Sequence, residues 1–317
     1  MKKTLIVLLA GLALSSLSSL SSHAADWLPK PKHISPHVWV WVGPLEGPNQ
    51  ANRGYRMNLG FIQCKTAVAV IDSGYTPEMA HEMLQRIREI TPLPVRYVIN
   101  TNSQPHRFMG NDVFRAAGAE IIASREAAAR MEAAGADFAR SIVQTLGLKD
   151  GTITPPKAPD YLLDANQSRV LDLGGGVSVK VSHWGRAHTR GSMIAEVSPD
   201  QTVFAGDILY SGRLLSVLPD SHVGQWIAAF DQLRPIKAKR FVPGHGEVAP
   251  LSGFEHSSYR YLTSLKSHMD QAVKNGVGPS EASKRFDSSG WKKLVNFDEL
   301  AGRNASLAYL EAEADGF

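Results

Sequence analysis

The chain has 317 residues, 43% of them hydrophobic and 20% charged, with one cysteine and a formal net charge of +4. That length suits one large domain or two small ones with a sizeable core, and the ordinary composition excludes collagen-like, low-complexity and disordered classes. So small a charge, with no basic run, leaves no electrostatic footprint for nucleic acid, and none is expected as a partner.

Residues 1–24 have the layout of a secretory signal. Lys2 and Lys3 precede an apolar core from Leu5 to Leu14, a serine-rich stretch, and Ser22-His23-Ala24 before Ala25. A retained membrane anchor is the competing reading. The core is too short to span a bilayer, however, and no later segment approaches the roughly 20 apolar residues a span needs. A periplasmic chain is expected, with no membrane span and a charge of about +2 once two lysines are removed. Cys64 has no cysteine partner and ends the alternating run Tyr55–Cys64, so it is expected to be a buried structural thiol rather than a nucleophile.

In chain order, Val38–Val42 is dense in β-formers and Gly43-Pro44 stops it. Met57–Gln63 and Ala67–Ile71 follow as strands, ending at Asp72-Ser73-Gly74. Thr76 is a good N-cap, Pro77 suits a first helical position, and Met79, Met83, Ile87 and Ile90 recur at helical spacing, which predicts a helix over Pro77–Ile90. Pro92 and Pro94 separate it from a strand at Val95–Thr101. A helix near Asn111–Ala117, a strand at Glu120–Ala123 and an Ala-rich helix from Arg125 to about Leu146 come next. Gly151–Leu162 reads as a connecting loop. The second half offers strands at Arg169–Leu173, Val177–Ser182, Met193–Val197 and Thr202–Ala205, a helix Val223–Leu233 capped by Ser221, and a strand Arg240–Val242. From about Gly253 the chain is helical. Strands interleaved with helices in two similar halves predict an α/β (α+β) fold of two mixed sheets packed face to face with helices outside. The divisions expected are the signal at 1–24, one domain over 25–252 and a helical C-terminal extension over 253–317 packed on it.

The most informative stretch is Val98-Ile99-Asn100-Thr101-Asn102-Ser103-Gln104-Pro105-His106-Arg107-Phe108-Met109-Gly110-Asn111. With Ile71-Asp72-Ser73-Gly74, Ala187-His188-Thr189-Arg190-Gly191-Ser192, Phe204-Ala205-Gly206-Asp207 and Val242-Pro243-Gly244-His245-Gly246, it forms an ordered series. The series resembles the metallo-β-lactamase superfamily over roughly residues 37–250, which implies the four-layer αββα sandwich of that family. A looser likeness, carried by Asn58-Leu59-Gly60-Phe61-Ile62, Leu93–Thr101 and Leu307–Glu313, is to its periplasmic quinoprotein-relay subgroup. The family's metal loop reads His-x-His-x-Asp-His or His-x-His-x-Asp-Arg; here those slots hold Asn102, Gln104, His106 and Arg107, a degenerate motif.

Amides are poor zinc ligands beside His, Asp and Cys. By the resemblance, the first metal site is therefore lost and Asn102 and Gln104 are vestigial positions. The second site would draw on His106, Asp207 and His245, with His188 close enough to join, a sound donor set for one zinc, or for iron as a facial triad. Asp72 is expected to support the loop. Arg107 either clamps a substrate carboxylate or forms a structural ion pair with Asp72 or Asp207. His106, Arg107 and Asp207 are the candidate catalytic residues; each ligand position can also be a fold-preserving remnant. His33, His37, His81, His183, His222, His256 and His268 are expected to be structural or surface.

The leading expectation is a secreted hydrolase of an ester, lactone or β-lactam type bond in a small-molecule substrate, using one metal-activated water. The alternatives are a non-catalytic periplasmic binding or accessory protein without metal, and a mononuclear iron redox enzyme.

Overall fold

Period-2 alternation sorts the strands of this chain between two faces. The computed structural model describes residues 27–316, so the secretory pattern at 1–24 lies outside the described residues. The first sheet runs in chain order: β1 (Lys32–Ser35), β2 (Val38–Trp41), β3 (Leu59–Gln63), β4 (Val68–Ile71), β5 (Val95–Ile99), β6 (Glu120–Ser124) and β7 (Tyr161–Leu163). Its first four strands are antiparallel and β4 to β7 are parallel. Parallel pairing needs crossovers, supplied by α1 (Pro77–Ile90), then α2 (Pro105–Phe108) with α3 (Asn111–Ala116), then α4 (Arg125–Leu146).

In the second sheet, β8 (Gln167–Asp172), β9 (Ser178–His183), β10 (Met193–Ser198) and β11 (Thr202–Tyr210) form an antiparallel meander. After α5 (Val223–Leu233), β12 (Arg240–His245) pairs parallel with β11 at the sheet's edge. The chain finishes with α6 (Tyr261–Lys274), α7 (Pro279–Arg285) and α8 (Phe297–Asp315).

Ala69 and Ile71 of β4 share a buried cluster with Met193, Ala195 and Val197 of β10 and Phe204 of β11, between the sheets. The intervening Val68 and Val70 pack instead with Met79, Met83 and Ile87 of α1. On the opposite outer face, Val203 and Ala205 of β11 join Trp226 and Phe230 of α5 and Tyr261, Leu265 and Tyr309 of the C-terminal helices. This is the expected four-layer sandwich of two mixed sheets with outer helices. Fully burying one such side chain stabilises by roughly 1.5–3 kcal/mol, so a polar residue on any inward position would be costly.

Local signals explain the helices that matched. Thr76 Oγ1 accepts from Met79 N at 3.1 Å, Pro77 opens α1, and the predicted limits are those observed. Ser124 caps α4 and Gly147, at φ +63°, ends it. Cys64 is buried, as expected.

Five local expectations are corrected. β1 is an edge strand of sequence KHIS with two exposed positions, so no apolar alternation announced it. β7 takes up the last two residues of the segment expected to be loop and Leu163 beyond it, a three-residue strand at the opposite edge. The four-residue α2 was unforeseen because one turn begun by Pro105 has no periodicity to show. β11 and β12 run on to Tyr210 and His245, past Gly206, where φ is +51° and the register shifts; this bulge re-aims the strand at Asp207. The cap of α5 is His222 rather than Ser221, and Ser221 Oγ instead donates to His188 O at 2.6 Å.

The C-terminal helices also bind the segment that follows β11. Asn304 accepts from Val217 N and donates to Leu215 O, both at 2.8 Å, and Leu214 N donates to Val295 O at 2.9 Å. Glu311 accepts from Val223 N at 2.6 Å and Gly224 N at 2.9 Å, at the start of α5. Among the described residues no helix is long and apolar enough to cross a membrane.

Candidate metal centre

The site is assembled at the C-terminal ends of β4, β5, β11 and β12, where loops fixed by a sheet can converge. Asp72 follows β4 with φ +59°, a left-handed conformation that Asp tolerates better than most residues. There its Oδ1 accepts from Thr101 N at 2.7 Å, and its Oδ2 from Thr101 Oγ1 at 2.8 Å and Arg107 Nη1 at 3.1 Å. Asp72 therefore ties down the loop after β5.

Two residues the motif brought along close that loop. Asn100 Nδ2 donates to Arg107 O at 2.9 Å, and Asn111 Nδ2 donates to Asn100 Oδ1 at 2.8 Å. Asn58, for which the sequence analysis named no role, holds the last loop: its Nδ2 donates to Pro243 O and Gly246 O at 2.9 and 2.7 Å. Only its polarity at the head of an apolar strand could have signalled this.

Asp207 is the hub. Asn102 Nδ2 donates to its Oδ2 at 2.7 Å, so the vestigial first slot reaches the site while its Oδ1 accepts from Gln104 N. Gln104 itself sits at the start of α2 and makes no side-chain cap. Arg107 grips Asp207 with two bonds, Nε to Oδ2 at 3.2 Å and Nη2 to Oδ1 at 2.7 Å. It also donates through Nη1 to Asn58 O and Asp72 Oδ2 and through Nη2 to Gly244 O. These five bonds use all five N–H groups of a guanidinium. Of its two expected roles, the geometry takes up the ion pair, with both carboxylates; no N–H is left for a substrate.

Three imidazoles surround the same carboxylate. His245 Nε2 lies 3.3 Å from Asp207 Oδ1, His106 Nε2 3.7 Å from Oδ2, and His188 Nε2 4.0 Å from Oδ2. All four expected ligand residues therefore converge. Ligand atoms of His106, Asp207 and His245 lie within 4.8 Å of one another, and His188 is not part of that set, its ring edge-on to Trp226 at 5.1 Å. Each of these side chains is no more than 3% exposed, which gives a low-dielectric setting.

Burial pushes His106 down to about 3 and His188 to about 4, with Arg107 adding to both, and holds His245 well below its usual value. All three are neutral at pH 7. Burial alone would raise Asp207, but Arg107 facing it holds the carboxyl well below the usual range, so it is ionised. Burial lifts Asp72 to about 6 against the opposing pull of Arg107 and Thr101.

His245 makes the chemical case for a metal. Its Nδ1 meets Arg56 O at 2.8 Å, a group that can only accept, which assigns the ring proton to Nδ1. A neutral Nε2 then turns a lone pair toward a carboxylate oxygen 3.3 Å away. A tetrahedral zinc with bonds of about 2.0–2.1 Å sets its ligand atoms about 3.3–3.4 Å apart. The buried Nε2 of His106 has no hydrogen-bond partner among the described residues. Two free imidazole nitrogens and an ionised carboxylate thus fit one divalent ion with a position left open.

A family model described as the metallo-beta-lactamase superfamily matches residues 58–245. Among solved structures, a metallo-beta-lactamase from Pontibacter korlensis superposes with a TM-score of 0.58 at 19% identity, covering 74% of this chain and 98% of that one. VMB-1, in a crystal structure at pH 5.5, gives 0.56 at 17% identity, covering 74% and 96%. At these identities the likeness is one of fold.

Proposed function

Because the chain belongs to the metallo-β-lactamase superfamily, a family of metal-dependent hydrolases, we propose that it hydrolyses a small-molecule ester, lactone or lactam with one divalent metal held by His106, Asp207 and His245. The observation that carries the reading is the lone pair of His245 Nε2 turned on the Asp207 carboxylate. Zinc suits the donor set, and the secretory pattern of residues 1–24 supports a periplasmic setting.

Such an ion, when bound, supplies Lewis acidity, which makes water a nucleophile near neutral pH and polarises a carbonyl. The chain's own groups do the rest. Arg56 O fixes the His245 tautomer, and Asn102 with Arg107 locks the rotamer of Asp207. The Arg107 guanidinium, 2.7 Å from Oδ1, sets a permanent positive charge against the carboxylate, which would disfavour a second cation. His188, neutral and with its Nε2 4.0 Å from Asp207 Oδ2, is placed to orient a water at the open position by a hydrogen bond.

A second reading rests on Asp207, whose oxygens already accept three protein hydrogen bonds. A carboxylate so satisfied can persist without metal, as in a binding protein that keeps the site and lacks turnover. Metal analysis of chain purified from a metal-replete host separates the readings. Near-stoichiometric zinc, with hydrolysis that His245→Ala removes in a folded variant, is expected. No metal and no turnover would transfer the case to the binding protein, and iron to a redox enzyme.

A further inference from the structure

Arg56 and Arg213 lie in segments bound to His245, and neither forms an ion pair among the described residues. Arg56 precedes β3 and its carbonyl is bonded to His245. Arg213 lies three residues beyond Tyr210, whose ring stacks on His245 with centroids 5.1 Å apart. Ser211 N, between them, donates to His245 O at 3.0 Å. Arg56 is thus fastened to His245 by its own carbonyl, and Arg213 by way of Ser211, two residues before it.

Arg213 is 5% exposed. Its buried Nε and Nη1, and the buried Nε of Arg56, have no hydrogen-bond partner, and neither side chain forms an ion pair among the described residues. Asp207, the acid of this region, is already committed to Arg107 and Asn102. After burial, the Arg213 charge is the main influence lowering Arg56, and both charges depress His245. Guanidinium groups stay protonated at any physiological pH, so this is like-charge repulsion in a poorly solvated place, which Asp207 offsets only in part. An unpaired buried charge is among the most costly features a fold can carry. A negatively charged ligand would relieve it.

We propose that Arg56 and Arg213 form a binding site for the oxyanion group of a small molecule, a carboxylate, sulfate or phosphate, beside the His106, His188 and His245 cluster. Free N–H groups on two guanidiniums suit a group with two or more oxygens, as charge-assisted recognition requires. The substrate class is accordingly anionic, with its charged end on the arginines and its reacting bond toward the imidazoles. The anion would be held whether or not a metal is bound.

The test is calorimetric titration of the purified chain with sodium phosphate, sulfate, acetate and succinate, with chloride as control, with and without zinc, and again with Arg56→Gln and Arg213→Met. At least one oxyanion should bind one per chain, about tenfold or more weaker in each variant. In a cationic amine buffer with chloride as the only anion, Arg213→Met should be as stable as the parent or more so, because it removes an unpaired buried charge. Oxyanion stabilisation in thermal melts should vanish with it. Binding that survives both substitutions, or no binding with Arg213→Met less stable than the parent, would overturn the site. Arginine-dependent binding in a chain that takes up no metal would leave the anion site standing and defeat the hydrolase reading alone.

Discussion

Arg107 and Asp207 are joined by two hydrogen bonds in a place where their side chains are no more than 1% exposed. The pair fixes the carboxylate that the imidazoles face, so the scaffold of the site stands without an ion. Loss of one partner leaves the other charged and dry, which makes Arg107 a stability residue as well as a site residue.

Arg107→Met should therefore destabilise the chain by about 3–5 kcal/mol in chemical denaturation, since Asp72, Asp207 and the carbonyls of Asn58 and Gly244 all lose a donor. Arg107→Lys should recover only part of this, having charge but no fork. A loss below about 1 kcal/mol for Arg107→Met would show that the pair is not structural.

Gly244 lies against the same pair. A Cβ there would collide with Asp207 Oδ1 and stand 2.7 Å from Arg107 Nη2. Gly244→Ala should cost about 1–3 kcal/mol and weaken zinc binding at least tenfold, read by denaturation and a competitive chelator titration. Unchanged zinc affinity would mean that Asp207 is not a ligand.

Acid should loosen the metal-free protein. His106 and His188, pushed down to about 3 and 4, bind fewer protons folded than unfolded between those values and about 6.5, and His245 acts in the same sense. Their contribution is complete above about pH 6.5 and is lost as pH falls through that window. Asp72, raised to about 6, works oppositely, favouring the folded state as pH falls from 6 toward 4. Three imidazoles against one carboxyl leave a net decline on the order of 5 kcal/mol from pH 7 to pH 4.5, measurable as urea midpoints in chelator. His188→Asn should flatten the slope, and an equally steep slope would exclude that imidazole as a contributor.

Asn102→His, Gln104→His, His106→Asp and Arg107→His together rebuild a two-metal donor set with His188, Asp207 and His245. The variant should bind two zinc ions about 3.5–4 Å apart and gain hydrolysis. Stripped of zinc, it should be less stable than the parent, because Asp72 and Asp207 then lack the guanidinium between them. A folded variant that takes up no zinc would mean that the loop from Asn100 to Asn111 no longer aims at Asp207.

The legible parts of this chain were those whose causes are local. Thr76 and Pro77 announced α1 directly before and at its first residue, and the apolar run of β4, stopped by Asp72-Ser73-Gly74, marked a strand. Asp207, His188 and His245 were found through short loops of fixed order, each tied to a strand end. What escaped depends on distant partners. Arg56 touches His245 across 189 positions, and nothing beside it in sequence says so. The cap of α5 was misassigned by one residue, and Glu311 adds its carboxylate to that helix start from 88 positions away. Arg107 was left with two roles because only three dimensions reveal that all five of its N–H groups are spent.

The hold of the C-terminal helices on the segment after β11 bears on how ligand preference is inherited. Val295 brackets Gly212 and Leu214 on either side of Arg213, and Asn304 pins Leu215 and Val217. Val295 and Asn304 both lie outside the stretch matched by the family model, residues 58–245. Two chains identical across that stretch, but carrying different tails, would aim this arginine differently and select different ligands. Drift far from the imidazoles can thus retune what the protein accepts while the ligand loops stay unchanged.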